Sequence, residues 1–197
     1  MGYNISTIKN LPMLSGYYFF LVGKKEYACN RIDSAFYQRF DEIAERIGSD
    51  SAIVKGFNPQ NINNELLQAF THAPWFRELY NHVLMQTPAL IIMRPHPQKF
   101  QFKKNDFFAL IPFSVLEEIY SDENELIHDI ISLSIKGEPN ILNKVAQTNK
   151  QVSFWERLQN SSILQPNLWG IGFDLKKLFK PQKENSNFII YEPNNQK

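Results

Sequence analysis

The chain has 197 residues, 43% of them hydrophobic, with 21 basic and 20 acidic side chains. That length and apolar content suit one sizeable core, and a net charge of +1 argues against broad electrostatic capture of nucleic acid or anionic lipid. A single cysteine, Cys29, excludes an internal disulfide and suits a reducing, cytoplasmic setting, while no apolar run approaches the ~20 residues that span a bilayer, so no membrane partner is expected.

The N-terminal residues lack the charged and apolar regions of a secretory signal. "MGYNIS" satisfies the loose myristoylation pattern through Gly2 and Ser6, a pattern short enough for chance to supply. "GYYFFLV" (16–22) is a continuous aromatic and β-branched run before Gly23, the signature of a central strand buried on both faces. Ile32, Phe36, Phe40, Ile43 and Ile47 then build one apolar stripe at helical spacing. Asn30 can cap that helix, and Gly48 supplies its left-handed stop. "SAIVKGF" (51–57) predicts a second strand closed by Asn58-Pro59. Residues 61–86 are helical in pattern, with Leu66, Leu67 and Phe70 in a first piece. Trp75, Leu79 and Val83 stripe a second, and a break falls near Thr71–Pro74.

"ALIIM" (89–93) is a third strand, "PHPQKFQFKKND" a turn with an extended edge, and "FFALIPF" (107–113) a fourth strand. The connection between these strands is too short for a crossover helix and predicts an antiparallel pair. Ser114 and Glu117 form a capping box for the next helix, whose continuation carries Leu126, Ile127, Ile130 and Ile131 before Gly137. Residues 138–152 read as loop or a short helix, "SFWERLQ" as a helix start at Ser153 and Glu156, and "FDLKKLF" as an amphipathic turn. "NFIIYE" (187–192) closes the order as a last strand. The division is an α/β domain over 1–137 and an extension over 138–197 packed on the same domain.

The order βαβαββα, with Thr87-Pro88 directly before "ALIIM", resembles the thioredoxin-fold superfamily over residues 16–137. The resemblance implies a mixed sheet flanked by helices and a cis proline at Pro88 beside the active-site loop. It also carries a departure. Redox members have Cys-x-x-Cys where this chain reads "YACNRID", and one thiol cannot perform dithiol exchange.

Cys29 remains the candidate nucleophile. Just outside a helix N-terminus and near Lys24, Lys25 and Arg31, its thiolate is favoured, while Asp33 opposes it. A monothiol or glutathione-linked enzyme would use that residue on a small thiol; an inert, partly buried cysteine explains it without chemistry, and that reading is preferred. His72, His82, His96 and His128 form no recognised ligand spacing, so no metal is expected. "WGIG" (169–172) lacks the third glycine of a dinucleotide loop, and no cofactor is implied. Arg94, His96, Lys99, Lys103 and Lys104, interleaved with Phe100 and Phe102, fit a single-strand nucleic-acid groove. They also fit a charged sheet edge that discourages strand pairing, and that reading is preferred. Trp75, Phe76, Trp155 and Trp169 fall outside the clean core stripes and, with Arg94 and His96, are candidate binding residues. The expectation is a cytoplasmic, non-catalytic protein with a protein partner, of inhibitor, immunity or adaptor type; the alternative is the monothiol enzyme.

Overall fold

The computed structural model describes residues 1–22, 31–57, 59–70, 88–101, 106–148 and 189–191. Its centre is a six-stranded mixed sheet: β1 (Gly2–Ile5), β2 (Tyr18–Val22), β3 (Ala52–Gly56), β4 (Ala89–Arg94), β5 (Phe107–Pro112) and β6 (Ile189–Tyr191). The strands lie in the order β1-β3-β2-β4-β5-β6. β1, β3 and β2 run parallel, whereas β4 is antiparallel to β2, β5 to β4 and β6 to β5. The chain is therefore α/β with a mixed sheet. The antiparallel β4–β5 pair follows from its short connection, which cannot accommodate the crossover that parallel pairing needs.

The continuous apolar runs have a direct cause: both sheet faces are covered. Alternate residues of each strand enter different cores. Phe19, Leu21, Ile53, Leu90, Ile92, Ala109 and Ile111 face one side, where helices α1 (Arg31–Gln38) and α2 (Phe40–Arg46) supply Ile32, Phe36, Phe40 and Ile43. Helices α4 (Phe113–Ile119), α5 (Glu123–Lys136) and α6 (Asn140–Thr148) complete that layer with Leu116, Leu126, Ile130 and Ile141. Tyr18, Phe20, Val22, Val54, Ile91, Met93 and Phe108 face the other side, against Ile62 and Leu66 of α3 (Pro59–Ala69) and Phe70 just beyond it.

The predicted 32–47 stripe is buried as expected, but its helix divides at Arg39 into α1 and α2. Gly48 adopts φ 81° at its end, and Gly137 adopts φ 70° where α5 stops. Only glycine takes that left-handed turn without a Cβ penalty.

Helix α3 begins at Pro59, earlier than the pattern indicated, because proline suits a first helical turn. The expected Ser114–Glu117 capping box does not form: α4 starts at Phe113 behind Pro112, with no side-chain cap. Residues 140–148 form a helix whose Ile141, Leu142 and Val145 join the core, so the apolar spacing there prevails over polar composition. The predicted "SFWERLQ" and "FDLKKLF" elements and the break at Thr71–Pro74 lie outside the described residues.

Gly2 has a packing role apart from any acylation pattern. A Cβ built there would lie 2.4 Å from the Ala44 Cβ and 3.0 Å from the Phe40 ring, both on α2. Gly2→Ala is expected to lower the unfolding free energy by about 1–2 kcal/mol, because α2 must move off the sheet. A shift of the urea midpoint at constant slope checks this; an unchanged midpoint would mean that β1 yields instead.

Candidate functional site at the entrance of α1

Strand directions bring four segments to one end of the sheet. β2 ends at Val22, which pairs with Ala89 at the start of β4; Ala89 in turn pairs with Pro112 at the end of β5. The Pro88 carbonyl accepts a hydrogen bond from Phe113 N–H at 3.0 Å, tying the head of β4 to the first residue of α4. The Phe113 ring stacks on Phe36 with centroids 5.4 Å apart, which seats α1 on α4. β3 leaves the sheet at the same end, where the ring of Phe57 is 72% exposed.

The N-terminus of α1 opens onto this region, and Glu117 of α4 occupies it. Its Oε1 accepts from the backbone N–H of Arg31 at 2.6 Å and from that of Ile32 at 3.4 Å. A helix start exposes amides without intrahelical partners, and a carboxylate placed there satisfies them and complements the dipole. Glu117 thus caps a helix 86 residues away in the sequence instead of its own. The Arg31 guanidinium points back across the gap, donating to the carbonyls of Ser121, at 3.1 Å, and Tyr120, and pairing with Glu123 at 3.5 Å.

A second carboxyl lies in the first turn of α1. Asp33 is buried, and that burial pushes its carboxyl up to about 6. Tyr37, one turn on, is raised by its own burial and then by the Asp33 charge. Lys55 of β3 lies over the Phe40 ring at 4.0 Å and faces Tyr37 at 5.8 Å, so an aromatic surface shares its charge. At this entrance one carboxylate already occupies the helix amides, and a second carboxyl in the first turn resists ionisation through burial.

Of the sequence-derived candidates, Cys29, Trp75, Phe76, Trp155 and Trp169 lie outside the described residues, as does the Thr87 half of the Thr87–Pro88 bond. The cis peptide among the described residues is Arg94–Pro95. Pro88 belongs to the entrance just described. Arg94 and His96 do not, because β4 carries the chain to the other end of the sheet before reaching them. Arg94 is exposed there, whereas His96 is buried against Tyr18. Residues 95–101 form a connection with Pro97 and Phe100 turned inward, so this part of the anticipated charged edge is a folded segment between two interior strands.

Sequence reasoning passed over Glu117 as a capping residue of its own helix. Nor does the exposed neighbour His128 mark Asp129 as interior. Asp129 is in fact buried, and its Oδ2 accepts from the Tyr120 hydroxyl at 2.9 Å and from Lys144 Nζ at 2.6 Å. No local pattern announces either contact. Among the described residues no three His, Cys, Asp or Glu side chains converge as a metal set, and no helix is long and apolar enough to cross a membrane. No protein-family model, curated protein or solved structure matches this chain.

Proposed function

We propose that the protein is a thioredoxin-like scaffold that acts by binding a protein partner, as an inhibitor, immunity or adaptor protein of the cytoplasm, and that Cys29 is not its nucleophile. The order βαβαββα from β2 onward, counting α1 with α2 and α4 with α5 as single helical units, and the antiparallel β4–β5 pair beside Pro88 support the scaffold. The observation that carries the functional half is the Glu117 carboxylate on the Arg31 and Ile32 amides. A reactive thiolate at this position draws its stability from free helix-terminal amides and nearby positive charge. Here the amides are taken, and the group that takes them is an anion that opposes a second one. The exposed Phe57 at the same end of the sheet supports a contact face, since aromatic anchors dominate binding energy at protein interfaces.

A second reading keeps a monothiol enzyme on the strength of Asp33, a buried carboxyl held near neutrality four residues after Cys29 and suited to proton transfer.

The rate of Cys29 alkylation against pH separates the two. The binding reading expects the rate to climb through pH ~8.5, where an unperturbed thiol titrates. A rate already level by pH ~7 would establish a stabilised thiolate and overturn it. Once a partner is in hand, Phe57→Asp is expected to weaken the complex by about tenfold or more, with Cys29→Ser leaving affinity within about twofold.

A further inference from the structure

His96 follows β4 and is 1% exposed. It caps the 3₁₀ turn Pro97–Lys99, its Nδ1 accepting the Gln98 N–H at 3.2 Å. An imidazole nitrogen accepts only when it bears no proton, so the ring is neutral with its hydrogen on Nε2. That Nε2 is sealed from water without a hydrogen-bond partner; the Leu11 backbone is near enough to favour the charged form but does not meet hydrogen-bond geometry. The ring stands edge-on to Tyr18 of β2, with centroids 5.4 Å apart and planes at 84°. The Tyr18 hydroxyl donates to the Pro12 carbonyl at 2.8 Å and accepts from Leu14 N–H, so it holds the 11–14 segment in place.

We propose that His96 is an acid-sensitive pin: while neutral it clamps residues 95–101 and the 11–14 segment onto the sheet, and protonation releases both. Three features of the site drive the release. A proton on Nδ1 abolishes the acceptor that Gln98 uses and turns a hydrogen bond into a clash of two donors. The resulting cation has no water around it. No ion pair joins it to a carboxylate among the described residues: Lys99 on its own turn is repulsive, and Tyr18 presents a neutral ring. Glu65 of α3 accepts from Thr7 and Ile8, and the buried Asp106 just before β5 accepts from Gln101 N–H at 2.8 Å. Burial accordingly pushes the imidazole below its ordinary range, the Leu11 backbone opposing and Lys99 adding to the effect.

The released connection carries Phe100, whose ring lies 5.4 Å from Phe70 and 6.0 Å from Phe108. Opening would therefore bare an aromatic surface on the α3 side of the sheet. Stability from a group with a depressed folded-state pKa is full above the unfolded value of ~6.5 and declines as pH falls below it. The relevant interval is the mildly acidic one.

Amide exchange of the full chain, read by mass spectrometry at about pH 7.5 and about pH 5.5 with labelling times scaled for intrinsic exchange, tests the pin. Protection of peptides covering 11–17 and 95–101 should fall by up to about tenfold across that interval, with α5 unchanged. His96→Asn keeps a side-chain acceptor for Gln98 but cannot take up a proton, and should erase the loss. Equal protection at both pH values in the parent chain, the same loss in His96→Asn, or a uniform loss that includes α5 would each overturn the proposal. Should His96→Asn not fold, a chain with His72, His82 and His128 changed to Gln leaves one imidazole to follow by NMR. A midpoint below the ordinary ~6.5 of a free imidazole supports the pin, and one at or above it overturns it.

Discussion

Asp129→Ala is expected to destabilise the protein by about 2–4 kcal/mol, more than any surface charge removal in the same helix. The Asp129 side chain is 5% exposed and Lys144 is 33% exposed, so the pair is sheltered on one side and wetted on the other. Two donors converge on Oδ2: the Tyr120 hydroxyl at 2.9 Å and Lys144 Nζ at 2.6 Å. Lys144 also sits 4.7 Å above the Tyr120 ring and reaches Glu125 at 2.6 Å. These groups come from α5, from α6 and from the residue that ends α4, so one carboxylate joins three helices.

Truncation takes from the buried Tyr120 hydroxyl its Asp129 acceptor and from the Lys144 ammonium its buried carboxylate, while Glu125 is half exposed. Glu125→Ala, by contrast, should cost under about 1 kcal/mol, the range of exposed pairs. Because the members share partners, the Asp129→Ala/Lys144→Ala double variant should lose less than the sum of the singles. Urea unfolding of the parent, the three single variants and the double variant measures all of this. A loss below about 1 kcal/mol for Asp129→Ala would mean that the network is ornamental and that α6 is held by Ile141, Leu142 and Val145 alone.

Asp33→Asn is expected to act in the opposite direction and to stabilise the fold at neutral pH by on the order of 1–3 kcal/mol. Burial lifts the Asp33 carboxyl from 3.8 to about 6, so folding favours its neutral form. Below the unfolded value both states carry the proton and nothing is lost. As pH rises from 3.8 towards 6 the unfolded chain ionises first, and native stability declines; above 6 the penalty is constant. The amide variant carries no such charge, so its advantage should be present at pH ~7.5 and vanish near pH ~3.5. Glu42, exposed and held down to about 2 first by its Arg39 hydrogen bonds and then by Arg46, pulls the parent curve the other way in acid. Taking the difference between variant and parent removes that contribution. An advantage that persists unchanged into acid would sink the assignment of a buried, reluctant carboxylate.

This sign also separates Asp33 from His96, which titrates in an overlapping interval. Acidification relieves the penalty at Asp33 and creates one at His96. The two groups lie at opposite ends of the sheet, so segment-resolved exchange reports them separately.

Much of the architecture is visible in residue order alone. Continuous runs such as Phe19-Phe20-Leu21-Val22 and Leu90-Ile91-Ile92, short and rich in aromatic and β-branched residues, read as strands covered on both faces. The Ile32–Ile47 stripe can only be a helical face. Pro88, with the short link to "FFALIPF", places two inner strands side by side and oppositely directed. Polar partners were not visible in this way. Glu117 followed Ser114 at capping-box spacing, yet its carboxylate serves α1. Asp129 neighbours an exposed histidine, yet faces inward. His96 sat within a basic, proline-rich stretch that suggests a surface, yet its ring is interior.

The sequence by itself determined five of the six strands, the main helices and the lone thiol ahead of α1, because hydrophobic periodicity is a local property that burial selects residue by residue. β1 (Gly2–Ile5), a four-residue edge strand with one buried side chain, carries no such pattern and escapes that reading. Tertiary structure decided which carboxylate occupies the α1 amides, which acid is buried and which imidazole is sealed. Those outcomes depend on side chains that approach through space from distant segments, and a hydrogen bond formed across 86 residues leaves no mark on the spacing of either partner.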